Sequence, residues 1–107
     1  NFSLLKNTLL LQLEFNSFVA AKNLSASSLE VFPAQPVLYL LNAKANNNLQ
    51  GFKAAINALE TGLDYLFDNA ELEKEFYEQL AVAYTGLGNT IKAANFAKKA
   101  AEILDSN

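Results

Sequence analysis

The chain has 107 residues, 51% of them apolar, and carries eight lysines against eleven acids for a net charge of −3. Cysteine, histidine, arginine, methionine and tryptophan are absent. That excludes disulfides, thiolate chemistry, the commonest general base, most zinc sites and bidentate phosphate recognition, and the net charge has the wrong sign for a nucleic-acid binder.

Nineteen leucines and seventeen alanines, beside four glycines and two prolines, point to an all-α domain. The chain opens at Asn1 rather than Met and so reads as a piece of a longer protein. The first apolar run, "FSLLKNTLLLQLEF", is broken by Lys6, Asn7, Gln12 and Glu14. It is too short and too polar to span a bilayer, and it lacks the shape of a signal peptide.

Breaker residues divide the chain into six predicted helices, 3–15, 18–32, 37–49, 52–66, 70–86 and 90–104. The breaks fall at Asn16-Ser17, at "PAQP" (Pro33 to Pro36), and at Gln50-Gly51, Asp68-Asn69 and Gly88-Asn89. Connections this short force sequential helices to pack antiparallel. Pro36 suits a first helical turn. "DNAE", Asp68 to Glu71, has the spacing of a capping box opening the fifth helix.

Self-comparison aligns Ala21, Ala55 and Ala93, each three residues after the start of the second helix of a pair. Three units follow, 2–35, 36–69 and 74–107, each 34 residues long, with "AELE" inserted before the third. The third unit, "FYEQLAVAYTGLGNTIKAANFAKKAAEIL", carries Tyr77, Leu80-Ala81, Tyr84, Leu87-Gly88, Ala93 and Ala100. At that spacing it resembles a tetratricopeptide repeat. The second unit keeps Tyr39, Ala43, Leu49, Ala55 and Gly62; the first keeps Leu5, Phe15, Ala21, Leu29 and Pro33. The resemblance implies a right-handed superhelical stack of antiparallel helix pairs, an α-solenoid in which stacking supplies the core that no single unit can bury. It implies that Ala43, Ala81, Ala55 and Ala93 allow close helix approach, and that Tyr39, Tyr77, Leu49 and Leu87 fill the space between units.

Where the family places large apolar residues, this chain has Asn42 and Asn46, and in the first unit Thr8 and Gln12. These four are expected to form a polar stripe between the first two units, read as a buried hydrogen-bond ladder in preference to a ligand site. Asn47 and Asn48 are expected only to close the helix.

In such arrays the first helix of each unit lines a concave face that receives a peptide. Transferring those positions selects Lys6, Leu10 and Leu13, then Val37, Leu40, Lys44 and Asn47, then Glu75, Glu78, Val82 and Thr85. Five exposed aliphatics in one trough would mark an interaction site for an apolar-anchored peptide or amphipathic helix. Arrays of the family that clamp chaperone tails use basic and polar groups where this chain has Leu10, Leu41, Glu75 and Gln79, and only Lys6 matches. That specificity is not expected here.

The acidic run Asp68, Glu71, Glu73, Glu75 and Glu78 is expected to be a solvated helix start and not a metal or acid–base site. Lys92, Lys98 and Lys99 are expected on a solvated outer face, while Phe96, Ile103 and the alanine face of the last helix remain able to receive another helix. The sequence therefore predicts a non-catalytic module with no cofactor or metal, binding a protein or peptide, with homo-oligomerisation through the groove or an open end as the alternative. Lysine without arginine, together with thirteen asparagines, is associated with A/T-rich bacterial genomes; compartment is not legible.

Overall fold

A computed structural model describes residues 1–103, and all six predicted helices are present. They are α1 (Phe2–Glu14), α2 (Phe18–Val31), α3 (Pro36–Asn48), α4 (Phe52–Leu63), α5 (Ala70–Gly86) and α6 (Thr90–Glu102), with no strand among the described residues. None is long and apolar enough to cross a membrane. The fourth helix stops three residues short of expectation. Asp64, Tyr65 and Leu66 donate instead to the carbonyls three residues back, at 3.2, 3.0 and 3.2 Å, so the last turn tightens. Position 104, where the sixth helix was expected to end, lies outside the described residues.

The period is visible in the backbone. Asn16, Gln50 and Gly88 have φ of 60°, 64° and 78°, the left-handed conformation that terminates a helix. After each, the next amide reaches back to a helical carbonyl: Ser17 to Gln12 at 2.7 Å, Gly51 to Asn46 at 2.7 Å, and Asn89 to Tyr84 at 2.9 Å. These pairs fall at the predicted equivalent positions, so one turn closes all three helix pairs. Gly88 meets the positive φ without strain, whereas Asn16 and Gln50 do so at some steric cost.

The start of α5 differs from expectation. Asn69, and not Asp68, is the cap, its Oδ1 accepting from the Leu72 amide at 3.0 Å. Asp68 has a φ of 48°, which turns the chain before the helix begins. The inserted Ala70–Glu73 forms an additional N-terminal turn, which makes α5 a 17-residue helix beside 13 in α1 and α3.

Each helix touches only its own unit and the next. Within pairs, α1 meets α2, α3 meets α4 and α5 meets α6; between pairs, α3 packs on α1 and α2, and α5 on α3 and α4. The backbones of α2, α4 and α6 do not approach one another closely. Two core clusters follow. Leu9, Ala21, Leu38, Leu41 and Ala45 bury the first joint; Leu40, Ala43, Ala55, Leu59, Phe76, Leu80 and Ala83 bury the second. The helix α3 contributes to both, which explains its near-continuous apolar run.

Ala21, Ala43 and Ala55 are fully buried and Ala93 nearly so, as expected, but Ala81 is only half-buried and Ala83 takes the central place. Tyr39 and Tyr77 are half-buried. Leu49 and Leu87, by contrast, are exposed, because they lie where their helices run out into the turn.

Candidate functional site

The asparagines of α3 resolve into a partial ladder. Asn46 Nδ2 donates to the carbonyl and Oδ1 of Asn42 at 3.0 and 2.9 Å, and Asn42 Nδ2 donates to Ser25 Oγ of α2 at 2.9 Å. The Asn46 amide also packs against the backbone of Gly51. Thr8 and Gln12 do not join it. Thr8 is exposed and bonds the carbonyl of Leu4 in its own helix at 2.9 Å, and Gln12 Oε1 is buried without a partner. The reason is directional: the face of α3 carrying Asn42 packs back onto α2, so the same face of α1 points away from the second unit.

Asn47 does more than close its helix. It is 7% exposed, and its Nδ2 bridges to α5 through the carbonyl and Oε1 of Gln79 at 3.1 and 2.9 Å. Asn48 caps locally, donating to the Lys44 carbonyl at 2.8 Å.

The helices α1, α3 and α5 share one side of the stack, where a cleft of about 290 Å³ opens. Six of the predicted groove residues line it: Lys6 and Leu10 from α1, Val37, Leu40 and Lys44 from α3, and Glu75 from α5. Asn69, Glu71 and Leu72 complete the α5 wall, and Leu41 contributes from α3. The sequence signal for the missed wall was the "AELE" insertion, whose extra turn carries Glu71 and Leu72 across from α1.

Leu40, although at the cleft floor, is only 2% exposed. The other predicted positions lie elsewhere: Leu13 is half-buried against the first core cluster, so the trough presents fewer exposed aliphatics than five. Asn47 is occupied by Gln79. Glu78 lines a separate trough between α5 and α6. Val82 and Thr85 are exposed further along α5, outside the cleft, and the Thr85 hydroxyl donates to the Ala81 carbonyl at 2.8 Å.

Across the cleft mouth Lys44 Nζ lies 3.0 Å from Glu75 Oε1, with side chains 30% and 39% exposed. The floor is aliphatic, while the rim carries Lys6, Lys44, Glu71 and Glu75. Such a surface offers a dry seat for one apolar side chain and charged partners of both signs around it. No group of three acidic side chains among the described residues is arranged to hold a metal ion. Comparison with protein-family models, curated proteins and solved structures gave no match.

Two tyrosines have raised pKa values. Burial pushes up Tyr39, helped by nearby Tyr65, and burial also raises Tyr77, helped by the charge and hydrogen bond of Glu73. Neither lines the cleft. The Tyr39 hydroxyl donates to the Pro33 carbonyl at 2.7 Å and its ring stacks on Tyr65. On α6 the expected solvated lysines are exposed, but two cover rings: Lys92 sits 5.2 Å from the Tyr84 centroid, and Lys99 5.6 and 5.4 Å from those of Tyr77 and Phe96. Phe96 is stacked against Tyr77 and Tyr84, with ring centroids 6.0 and 5.7 Å apart.

Proposed function

We propose that the chain is a non-catalytic interaction module of the tetratricopeptide type, a right-handed stack that takes a peptide or protein segment on the face formed by α1, α3 and α5. One observation carries this reading: residues from all three helices and from the inserted turn converge on one cleft with an aliphatic floor and a rim of mixed charge. A segment with one aliphatic anchor, flanked by charges that match Lys6 and Glu71, suits that chemistry. The Lys44–Glu75 pair ties α3 to α5 beside the seat and limits how far a ligand extends in that direction.

Selection from a random displayed-peptide library tests the proposal. Enriched peptides should share an aliphatic anchor, and Leu10→Glu should weaken them at least about tenfold with helicity unchanged. Failure to enrich any sequence, or equal binding by the Leu10→Glu chain, would remove the cleft as the site.

A further inference from the structure

The second helices leave an outer groove at each joint, and the two grooves correspond in register. The first runs between α2 and α4, measures about 360 Å³, and is lined in part by Ala26, Asn46, Ala54, Asn57, Ala58 and Thr61. One unit on, the same positions are Glu60, Tyr84, Lys92, Asn95, Phe96 and Lys99. All six line a groove of about 500 Å³ between α4 and α6. Such a groove belongs to the joint and not to an end of the stack. The first stays open with a further unit packed beyond it.

Their chemistry differs. The first is walled mainly by alanines and amides, whereas the second holds two rings and three lysines. Tyr84 and Phe96 are half-buried and stacked, 5.7 Å apart with planes 4° from parallel. Lys92 lies over Tyr84 and Lys99 over Phe96, which keeps both ammonium groups at the groove, and Lys98 adds a third. Glu60 and Glu102 also line it, but neither is paired with any of these lysines. Three ammonium groups without a carboxylate partner among the described residues therefore line one groove, in a chain of net charge −3.

The complementary element is the loop from α4 to α5, which reads Asp64-Tyr65-Leu66-Phe67-Asp68. Phe67 is 88% exposed, the most exposed large apolar side chain among the described residues. Its neighbours are fixed, Tyr65 by stacking on Tyr39 at 5.8 Å and Leu66 by packing against the second core cluster. The amides of both also reach back to carbonyls in the last turn of α4. The loop thus presents one ring between two exposed aspartates, with little ordering left to do on docking.

We infer that Phe67 of one copy enters the α4–α6 groove of a second copy, against Tyr84 and Phe96, with Asp64 and Asp68 meeting the lysines. The occupant is a second copy because this loop supplies what the groove lacks, an apolar ring for its rings and carboxylates for its ammonium groups. Glu60, which lines the groove, stands one helical turn before Asp64, so loop and groove adjoin. Two copies can therefore exchange loops across a two-fold axis, and the assembly closes as a dimer. Glu60 and Glu102 repel the incoming aspartates, so association depends on the lysines and weakens as salt rises. The contact shares no residue with the cleft of α1, α3 and α5 and does not depend on it.

Loop and groove can be disabled separately, by Phe67→Ser and by Lys92→Glu with Lys99→Glu; all three positions are exposed. Sedimentation velocity over a roughly hundredfold concentration range should show the native chain passing from monomer to dimer by mass action and stopping there. Each variant alone should associate at least about tenfold more weakly. An equimolar mixture keeps one intact loop facing one intact groove, and should dimerise more tightly than either variant alone. Helicity by circular dichroism confirms folding, and Lys98→Glu replaces the double variant if that loses it. A native chain that stays monomeric throughout overturns the inference, as does growth past the dimer, a dimer insensitive to Phe67→Ser, or a mixture no tighter than its components.

Discussion

The ring of Phe76 rests on the backbone of Gly62. A Cβ at position 62 would stand 2.8 and 2.9 Å from two ring carbons, and 2.6 Å from the Cβ of Tyr39. Replacing glycine by alanine inside a helix ordinarily gains up to about 1 kcal/mol, whereas overpacking a filled core costs about 1–3 kcal/mol. Here the backbone of α3 lies behind the Tyr39 Cβ, so the clash wins. Gly62→Ala should destabilise by about 1–2 kcal/mol and lower the thermal midpoint by roughly 5–10 °C. An unchanged or raised midpoint would mean that the α4–α5 joint is looser than described.

The Asn42–Ser25 bond joins the first two units. A double-mutant cycle of Asn42→Ala and Ser25→Ala, read by urea denaturation, should give a coupling energy of about 0.5–1.5 kcal/mol. Zero coupling would mean that the two side chains do not act together, although Asn42 would still be held by Asn46.

The six helices and the 34-residue period were legible because breakers and small residues act locally: Asn16 and Gly88 mark turns by their own backbone preferences, and the turn at Gln50 is flagged by the glycine that follows it. What the sequence hid was direction. Periodicity shows that Thr8 and Asn42 occupy the same face of their helices, but not that this face points toward the preceding unit. The ladder was therefore readable in α3 and wrongly extended to α1. The same gap hid that Leu40, at the floor of the cleft, is roofed by the third unit and scarcely exposed. The cap at Asn69 was missed because Asp68 offered the more familiar spacing while the chain needed a turn at that residue.

The Lys44–Glu75 pair is partly solvated and contributes little to stability. Lys44→Ala should shift unfolding by no more than about 0.5 kcal/mol, with any difference from the native chain fading as salt rises. A larger loss would show that the pair clamps α3 to α5 structurally and does more than edge the cleft.

Tyr39 and Tyr77 set the alkaline limit. Their pKa values are raised above the ordinary 10.0 in the fold, so the folded chain holds these protons more tightly than the unfolded one. Stability is thus fully present below pH 10.0 and falls as pH rises through the folded values. With no histidine or cysteine, little else titrates between roughly pH 6 and 9, and the thermal midpoint should be nearly flat there. A steady decline should begin above pH 10.0, shallower in Tyr77→Phe. An equally steep decline in that variant would show that Tyr77 does not carry the effect.

Because no helix reaches past its neighbouring unit, the joints act as springs in series. A small rotation at the first adds to one at the second, and among the described residues no backbone contact between the first and third units resists the sum. The span from Lys6 to Glu71 is set by both joints at once, so the cleft works as a calliper whose opening depends on the compliance of α3.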